Sequence, residues 1–299
     1  MELAGERVLV TGGAGFVGRT VVDALCSRGA RVVVCDNSPY PGDGVETVVG
    51  DLRDPVVRDK AVQPGTTAIV HLAAVTSVLG SLRDPGLVHE VNVDATAGLL
   101  ELARQREVPR FLMSSTNAVT GDVGTATIHE GLPLRPLTPY GATKAAAEML
   151  LSGYAGGYGL AGCALRLTNV YGPGMAHKDS LVPRLMRAAT SGATVQVYGS
   201  GTQVRDFVHV HDVVAGLLVA WRAGHVGPLV IGAGRSVSVL DLIDAARRVT
   251  GRPLPVEHVP PKRGEMPAVI VSIEQARALG YRPSVDLDEG LAGVWADLR

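Results

Sequence analysis

Cysteine is scarce: only Cys26, Cys35 and Cys163 occur in 299 residues. They are widely spaced, form no C-x-x-C pair and keep no zinc-like spacing to histidine. That excludes a disulfide framework, gives no reason to expect a metal site, and points to reduced thiols in a cytoplasmic protein. An excess of charge of one sign is also missing, since 28 basic residues face 29 acidic ones for a formal net charge of -1. Without a basic face there is no electrostatic basis for binding nucleic acid or an anionic membrane. No apolar run reaches the ~20 residues that cross a bilayer. Glu2, Glu6 and Arg7 interrupt what would be the apolar core of a secretory signal. The expectation is a cytoplasmic chain with neither a nucleic-acid nor a membrane partner.

What is abundant is apolar character and glycine. Hydrophobic residues make up 46% and glycines number 37, while charged residues, at 19%, fall below the usual ~25%. This is a composition of tight turns and of strands buried on both faces. A folded chain of this length buries roughly 75% of its unfolded surface, so disorder is excluded. In the first half, strand-sized apolar runs at Arg7–Thr11, Arg31–Cys35, Val45–Val49, Thr67–Leu72 and Arg110–Ser114 alternate with helical segments at Phe16–Arg28, Pro85–Arg106 and Thr138–Tyr154. Such alternation predicts an α/β fold of the Rossmann type, a doubly wound parallel sheet, which a strand at Cys163–Val170 extends. After Gly172 the rhythm changes. Helices are expected at Ser180–Thr190, Asp212–Trp221, Val239–Thr250 and Leu287–Leu298, strands at Val195–Tyr198 and Leu229–Ile231, and a Pro-rich stretch at Pro253–Pro267. A smaller α/β region is therefore expected at 173–299, with 208–235 returning to the first.

The run Thr11-Gly-Gly-Ala-Gly-Phe-Val-Gly18 follows the first strand and opens a helix. Gly12 allows the tight turn, Gly15 lets the backbone approach a pyrophosphate, and Gly18 lets helix and sheet pack closely. The helix N-terminus, with Phe16 and Val17, supplies amide donors and a positive dipole. The spacing is G-x-x-G-x-x-G, so its weight comes from its position and from Asp36 at the end of the second strand. A carboxylate there accepts hydrogen bonds from both ribose hydroxyls and repels a 2'-phosphate, which favours NAD over NADP, and neighbouring Asn37 and Ser38 offer no cation. Asp51 and Leu52 follow the third strand, where a carboxylate could receive an adenine amino group. Leu72, Ala73 and Ala74 end the fourth, where small residues leave room for a flat ring, and His71 beside them reads as a packed histidine.

Tyr140 and Lys144 are four apart and share a helix face. An ammonium there, near a positive nicotinamide, favours phenolate and lowers the tyrosine pKa, so Tyr140 is the expected general base. Ser114-Ser115-Thr116 closes the preceding strand, where a hydroxyl could hold the oxygen being deprotonated.

With these residues in place the sequence resembles the extended short-chain dehydrogenase/reductases, in particular the NAD-dependent nucleotide-sugar epimerase/dehydratase family. The resemblance covers nearly the whole chain: the glycine loop, the His71-Leu-Ala-Ala74 run, Asn92, Tyr140-x-x-x-Lys144, Leu165-Arg-Leu-Thr-Asn-Val-Tyr-Gly-Pro173 and Arg205-Asp-Phe-Val-His-Val-His-Asp212. It implies an NAD-binding region at 1–172 and a mainly nucleotide-sugar-binding region at 173–299. The family's catalytic hydroxyl lies five residues before the glycine of a V-Y-G sequence, here Gly121, which selects Thr116 and leaves Ser114 and Ser115 lining the cofactor. Thr120 stands where the family usually has tyrosine. Asn92 is implied as a further cofactor residue.

The resemblance also implies substrate contacts. Asn169 matches the asparagine that touches the nucleotide-sugar phosphates, Ser180 and Leu181 the segment near the nucleotide, and Arg205 the arginine that grips the diphosphate. A half-buried arginine needs an anion, so a diphosphate suits it, the competing reading being a salt bridge to Asp206 or Asp212. Thr76, Gln196 and Tyr198 are implied as further substrate contacts. Lys262-Arg-Gly-Glu265 resembles an R-x-G-D in which arginine holds phosphate and the carboxylate the ribose. Arg263 and Glu265 are taken as the contacts, with Lys262 the competing cation. The helices at Pro85–Arg106 and Thr138–Tyr154 resemble the family's dimer interface, so a homodimer is expected.

The family's shared step yields a bound 4-keto sugar, and neighbouring groups decide its fate. The 4,6-dehydratases carry Asp-Glu directly after the catalytic threonine, whereas here Asn117 and Ala118 cannot transfer a proton. Uronic-acid decarboxylases show Ser-Glu there and an arginine after Tyr-Gly-Pro, and this chain has Ala118 and Gly174. The expectation is an NAD-dependent nucleotide-diphosphate-sugar 4-epimerase. The alternatives are 4-epimerisation or decarboxylation of UDP-glucuronic acid, with His177, Lys178, Arg184 and Arg187 gripping a carboxylate, and a catalytically silent NAD-binding regulator.

Overall fold

The computed structural model describes residues 2–260 and 268–299. The chain divides into two compact units, the first made of Met1–Gly121, Leu132–Arg166 and Leu217–Leu229, the second of Asp122–Gly131, Leu167–Gly216 and Val230–Arg299. The division thus falls at Arg166/Leu167 where 172 was expected, and the returning stretch is 217–229 where 208–235 was expected. The crossing of residues 122–131 into the second unit has no composition signal in the sequence.

Along the first half run β1 (Arg7–Thr11), α1 (Phe16–Cys26), β2 (Arg31–Asp36), β3 (Glu46–Val49), α2 (Pro55–Ala61) and β4 (Ala68–His71). There follow α3 (Val78–Arg83), α4 (Pro85–His89), a π-helical turn at Glu90–Asp94, α5 (Ala95–Gln105), β5 (Arg110–Thr116), a 3-10 turn at Asn117–Thr120, β6 (Thr127–Ile128) and α6 (Pro139–Tyr158). The second half holds β7 (Ala161–Leu167), β8 (Asn169–Tyr171), α7 (Leu181–Ser191), β9 (Val195–Tyr198), β10 (Val204–His209), α8 (Val210–Ala223) and β11 (Gly227–Ile231). It closes with β12 (Ser236–Ser238), α9 (Val239–Thr250), β13 (Val256–Val259), β14 (Ile270–Val271), α10 (Glu274–Ala278) and α11 (Leu287–Asp297).

A seven-stranded sheet in the order β11-β7-β5-β4-β1-β2-β3 forms the frame of the first unit. Strands β3, β2, β1, β4 and β5 pair in parallel. The order reverses between β1 and β4, so the loops after those two strands leave a crevice at their carboxyl ends, where ligands bind in sheets of this kind. Leu9, Val33, Ile69, Phe111 and Met113 of the strands pack with Leu99, Leu100 and Leu151 of the helices in one buried cluster. In the second unit β10 joins β8 in parallel and β12 antiparallel, β13 joins β9, and β14 joins β6.

Two expected elements carry irregularities. The helix expected at Pro85–Arg106 runs without a gap to Gln105 but contains a π turn at Glu90–Asp94. Asn92 lies there, buried, with its amide oxygen accepting from Val75 N (2.9 Å) and its nitrogen donating to Val75 O and Thr143 Oγ1 (3.1 Å each). Those bonds offset the irregular helical hydrogen bonding of such a bulge. The strand expected at Cys163–Val170 is cut at Thr168, whose hydroxyl donates to buried Asp206 at 2.7 Å. Its first part joins the central sheet as β7 and its last the small sheet as β8.

Candidate active site

The glycine loop crosses the end of β1 in a form only glycine fits. Gly12 has φ +70°, and a Cβ there would lie 2.6 Å from Ala73 N in the loop after β4. A Cβ on Gly18 would lie 2.0 Å from Gly12 O, so the first turns of α1 rest directly on the loop. Gly15 is exposed and caps α1 with no side chain, leaving the amide end of the helix open to an anion. Asp36 is drawn to the same place, its Oδ2 accepting from Ala14 N at 3.0 Å and its Oδ1 from Ser38 N at 3.1 Å. Within this one unit a glycine-lined cradle, an uncapped helix N-terminus and a strand-end carboxylate therefore stand together, and they fit a dinucleotide. Leu72, Ala73 and Ala74 are half-buried at the adjoining edge, and Asn37 and Thr76 are exposed.

The remaining expected cofactor residues and His71 have partners or packing within the protein. Asp51 is tied to Arg53 at 2.7 Å and holds its carboxyl below the ordinary value through that hydrogen bond. Leu52 and Phe16 are core residues. Asn92 spends its amide on Val75 and Thr143. His71 is buried and pushed down to about 3, first by desolvation and then by the Lys144 charge. Its Nδ1 lies 2.7 Å from Thr11 Oγ1 and its Nε2 2.9 Å from Thr96 Oγ1. Because Thr96 donates to Asn92 O (2.8 Å), the network assigns the proton to Nε2 of a neutral ring.

The hydroxyl, phenol and ammonium meet where β5 faces α6. Thr138 caps α6 by accepting from Gly141 N (3.2 Å), and Pro139 occupies the first turn, which sets Tyr140 at the helix start. The Tyr140 phenol faces the Thr116 hydroxyl, which favours its ionised form. Lys144, buried, donates from Nζ to Ser114 O at 2.9 Å. Thr116 also caps the 3-10 turn by accepting from Ala118 N at 3.2 Å, and Thr120 donates to Asn117 O at 2.8 Å. The threonine that replaces the family's tyrosine thus closes the turn itself. Gly121 has φ +69°, and a Cβ there would strike Arg135 O at 2.0 Å.

Among the protein's own groups, burial of the phenol pushes the Tyr140 pKa up to about 12, and the neighbouring Thr116 hydroxyl offsets only part of this. Lys144 is lowered to about 8 by burial, with Glu148 pulling the other way. Sequence reasoning passed over Glu148. It is buried, accepts from Ser115 Oγ, and is paired with buried Arg166 at 2.7 Å. The signal was available, since Glu148 continues the four-residue spacing of Tyr140 and Lys144.

In the second unit a cavity of about 1060 Å³ gathers most of the expected substrate residues. Asn169, Ser180, Leu181, Gln196, Tyr198 and Arg205 all line it. Asn169 Nδ2 donates to Asp206 O at 2.9 Å, and half-buried Arg205 donates to Val204 O at 2.8 Å. The two carboxylates proposed as competitors for Arg205 have other partners. Asp206 accepts from Thr168 and from Ala233 N, and Asp212 accepts from Ser284 and Val285 N. Arg184 and Arg187 also line the cavity, and both approach Asp179, at 2.7 and 3.7 Å. Lys262, Arg263 and Glu265 lie outside the described residues. Among the described residues no helix is long and apolar enough to cross a membrane.

Residues 8–232 match the NAD dependent epimerase/dehydratase family, and the chain belongs to it. NAD is accordingly its cofactor. The chain is 34% identical to the UDP-glucose 4-epimerase of Thermus thermophilus, solved in complex with NAD, with a TM-score of 0.91 over 98% of each chain. It is 35% identical to MoeE5 in complex with UDP-glucuronic acid and NAD, with a TM-score of 0.88 over 97% of this chain and 98% of the other. A dTDP-glucose 4,6-dehydratase of Streptomyces griseus is 33% identical and spans 97% of this chain and 93% of its own. Relatives of nearly equal similarity thus carry three different substrate or reaction names, and likeness alone does not choose among them.

Proposed function

We propose that the protein is a 4-epimerase of nucleotide-diphosphate sugars, working through a transient 4-keto sugar as a cytoplasmic homodimer. What supports this reading is the contact of Tyr140 with Thr116 beside Asn117 and Ala118, a site with a base and a hydroxyl but no proton donor or acceptor at the next two positions. Tyr140 takes the proton of the sugar 4-hydroxyl, Thr116 holds that oxygen, and Lys144 stabilises the phenolate. NAD, when bound, accepts hydride from carbon 4 and returns it. Gly12, Gly15 and the first turn of α1 would hold its pyrophosphate and Asp36 its ribose, with Ser114, Leu72, Ala73 and Ala74 near the ring. Asn169 and Arg205 would hold the substrate diphosphate, and Ser180, Leu181, Gln196 and Tyr198 the nucleoside. With no further acid or base at 117 and 118, the ketone can only turn and be reduced on its other face.

The test is a panel of nucleotide sugars with products read by NMR and mass spectrometry. An isomer inverted at carbon 4 is expected, and loss of about 18 or 44 mass units, from the water or carbon dioxide that acid/base chemistry releases at a keto sugar, would overturn it. A uronic acid substrate is the second reading, favoured by the likeness to MoeE5. Against it, Arg184 and Arg187, two of the arginines that line the cavity, share Asp179. Inversion of UDP-glucuronic acid at full mass would change the substrate and leave the reaction in place.

A further inference from the structure

Three successive turns of α6 grip three consecutive residues at the end of β5. Tyr140 meets Thr116, Lys144 Nζ meets Ser114 O, and the Glu148 carboxylate accepts from Ser115 Oγ. Glu148 is fixed from a second side by Arg166 of β7, which donates from Nε to Oε1 (3.1 Å) and from Nη2 to Oε2 (2.7 Å), with both side chains 3% exposed. A pair this deeply buried stabilises little by itself, because desolvation cancels most of the attraction. Its place suggests another role. Lys144 is faced by Tyr140 and Glu148 on its own helix, by neutral His71 from β4, and through Glu148 by Arg166 from β7. Glu148 is the group among these that favours the charged amine.

We propose that Glu148 is a positioning residue for Lys144, holding the ammonium against the end of β5 while Arg166 and Ser115 fix the carboxylate. This rests on the reading of Tyr140 and Lys144 as the working pair. Removing the carboxylate takes away the anion that offsets the burial of Lys144 and leaves the positive charge of Arg166 uncompensated by it, and both effects drive Lys144 toward the neutral amine.

The chain has four lysines, Lys60, Lys144, Lys178 and Lys262, so lysine labelled with carbon-13 at Cε gives four signals, with Lys144 identified by its loss in Lys144→Arg. In the wild type its titration midpoint is expected at about 8. In Glu148→Gln the midpoint should fall by about one unit, and in Glu148→Gln with Arg166→Met, which removes the repelling guanidinium together with the carboxylate, it should fall by less. The alkaline limb of kcat should move with it while KM changes little. A Lys144 midpoint unchanged in folded Glu148→Gln and in the folded double variant alike overturns the proposal, because a merely structural pair would alter thermal stability alone. If Tyr140→Phe keeps normal turnover, the catalytic reading fails instead, and the Lys144 midpoint still decides the role of Glu148.

Discussion

Adding one methyl group to the glycine loop should separate its packing role from its binding role. In Gly18→Ala the new Cβ would sit 2.0 Å from Gly12 O and 2.7 Å from Gly13 Cα, both backbone atoms that cannot rotate away. Relief requires α1 and the loop to part by roughly 1 Å, which costs at least the ~1–3 kcal/mol of an overpacked core. At about 2–4 °C per kcal/mol for a chain of this size, thermal unfolding should come roughly 2–12 °C earlier. Gly15→Ala is the matched comparison. Its Cβ would meet only Gly12 O, at 3.2 Å, and faces solvent, so its unfolding temperature should hardly move. If the backbone there lies against a pyrophosphate, NAD affinity should nevertheless fall by about tenfold, or ~1.4 kcal/mol. Differential scanning fluorimetry and calorimetric titration with NAD read the two effects separately. A wild-type unfolding temperature in Gly18→Ala would refute the packing argument, and wild-type NAD affinity in Gly15→Ala would refute the placement of the pyrophosphate.

Asp36→Ala should narrow the preference for NAD over NADP in a direct titration, and a wild-type protein that prefers NADP would contradict the role given to that carboxylate. Tyr140→Phe should lower turnover by at least ~100-fold while NAD still binds, the usual scale for a general base, as read by steady-state kinetics on the best sugar of the panel. His71 ties folding to acid pH: its folded value, about 3, lies below its ordinary 6.5, so the unfolded chain binds more protons between those values. Stability should therefore be complete above about pH 6.5 and fall steadily toward pH 3 in denaturant titrations, and His71→Gln should flatten that fall.

The fold was legible where local chemistry and tertiary placement agree. The five leading strands have apolar centres and the loop after β1 carries its glycines where φ and close approach demand them, so the parallel sheet and its crevice could be read from the sequence. The irregularities were not legible, because each is made by a partner far away in the chain. Nothing local to Asn92 announces that Val75 and Thr143 will take its amide, and nothing near Thr168 announces Asp206.

The same distinction runs through the site. Residue types and spacing pointed to a hydroxyl, a phenol and an ammonium acting together, because the helix period puts Tyr140 and Lys144 on one face of α6 and the hydroxyls close the strand β5 that α6 packs on. The protonation of those groups depends on what lies behind that face. Glu148 and Arg166 stand eighteen residues apart, on α6 and β7, and become neighbours only when β7 takes its place beside β5 in the sheet. Spacing arguments expected the ammonium to lower the Tyr140 pKa, yet the protein's own groups raise it to about 12, since burial outweighs the Thr116 hydroxyl. On the proposed reading of Tyr140 as the base, its ionised form must be favoured by positive charge close to it. The buried Lys144 can supply such charge only while it stays protonated, which makes the carboxylate one turn further along α6 part of the same chemistry.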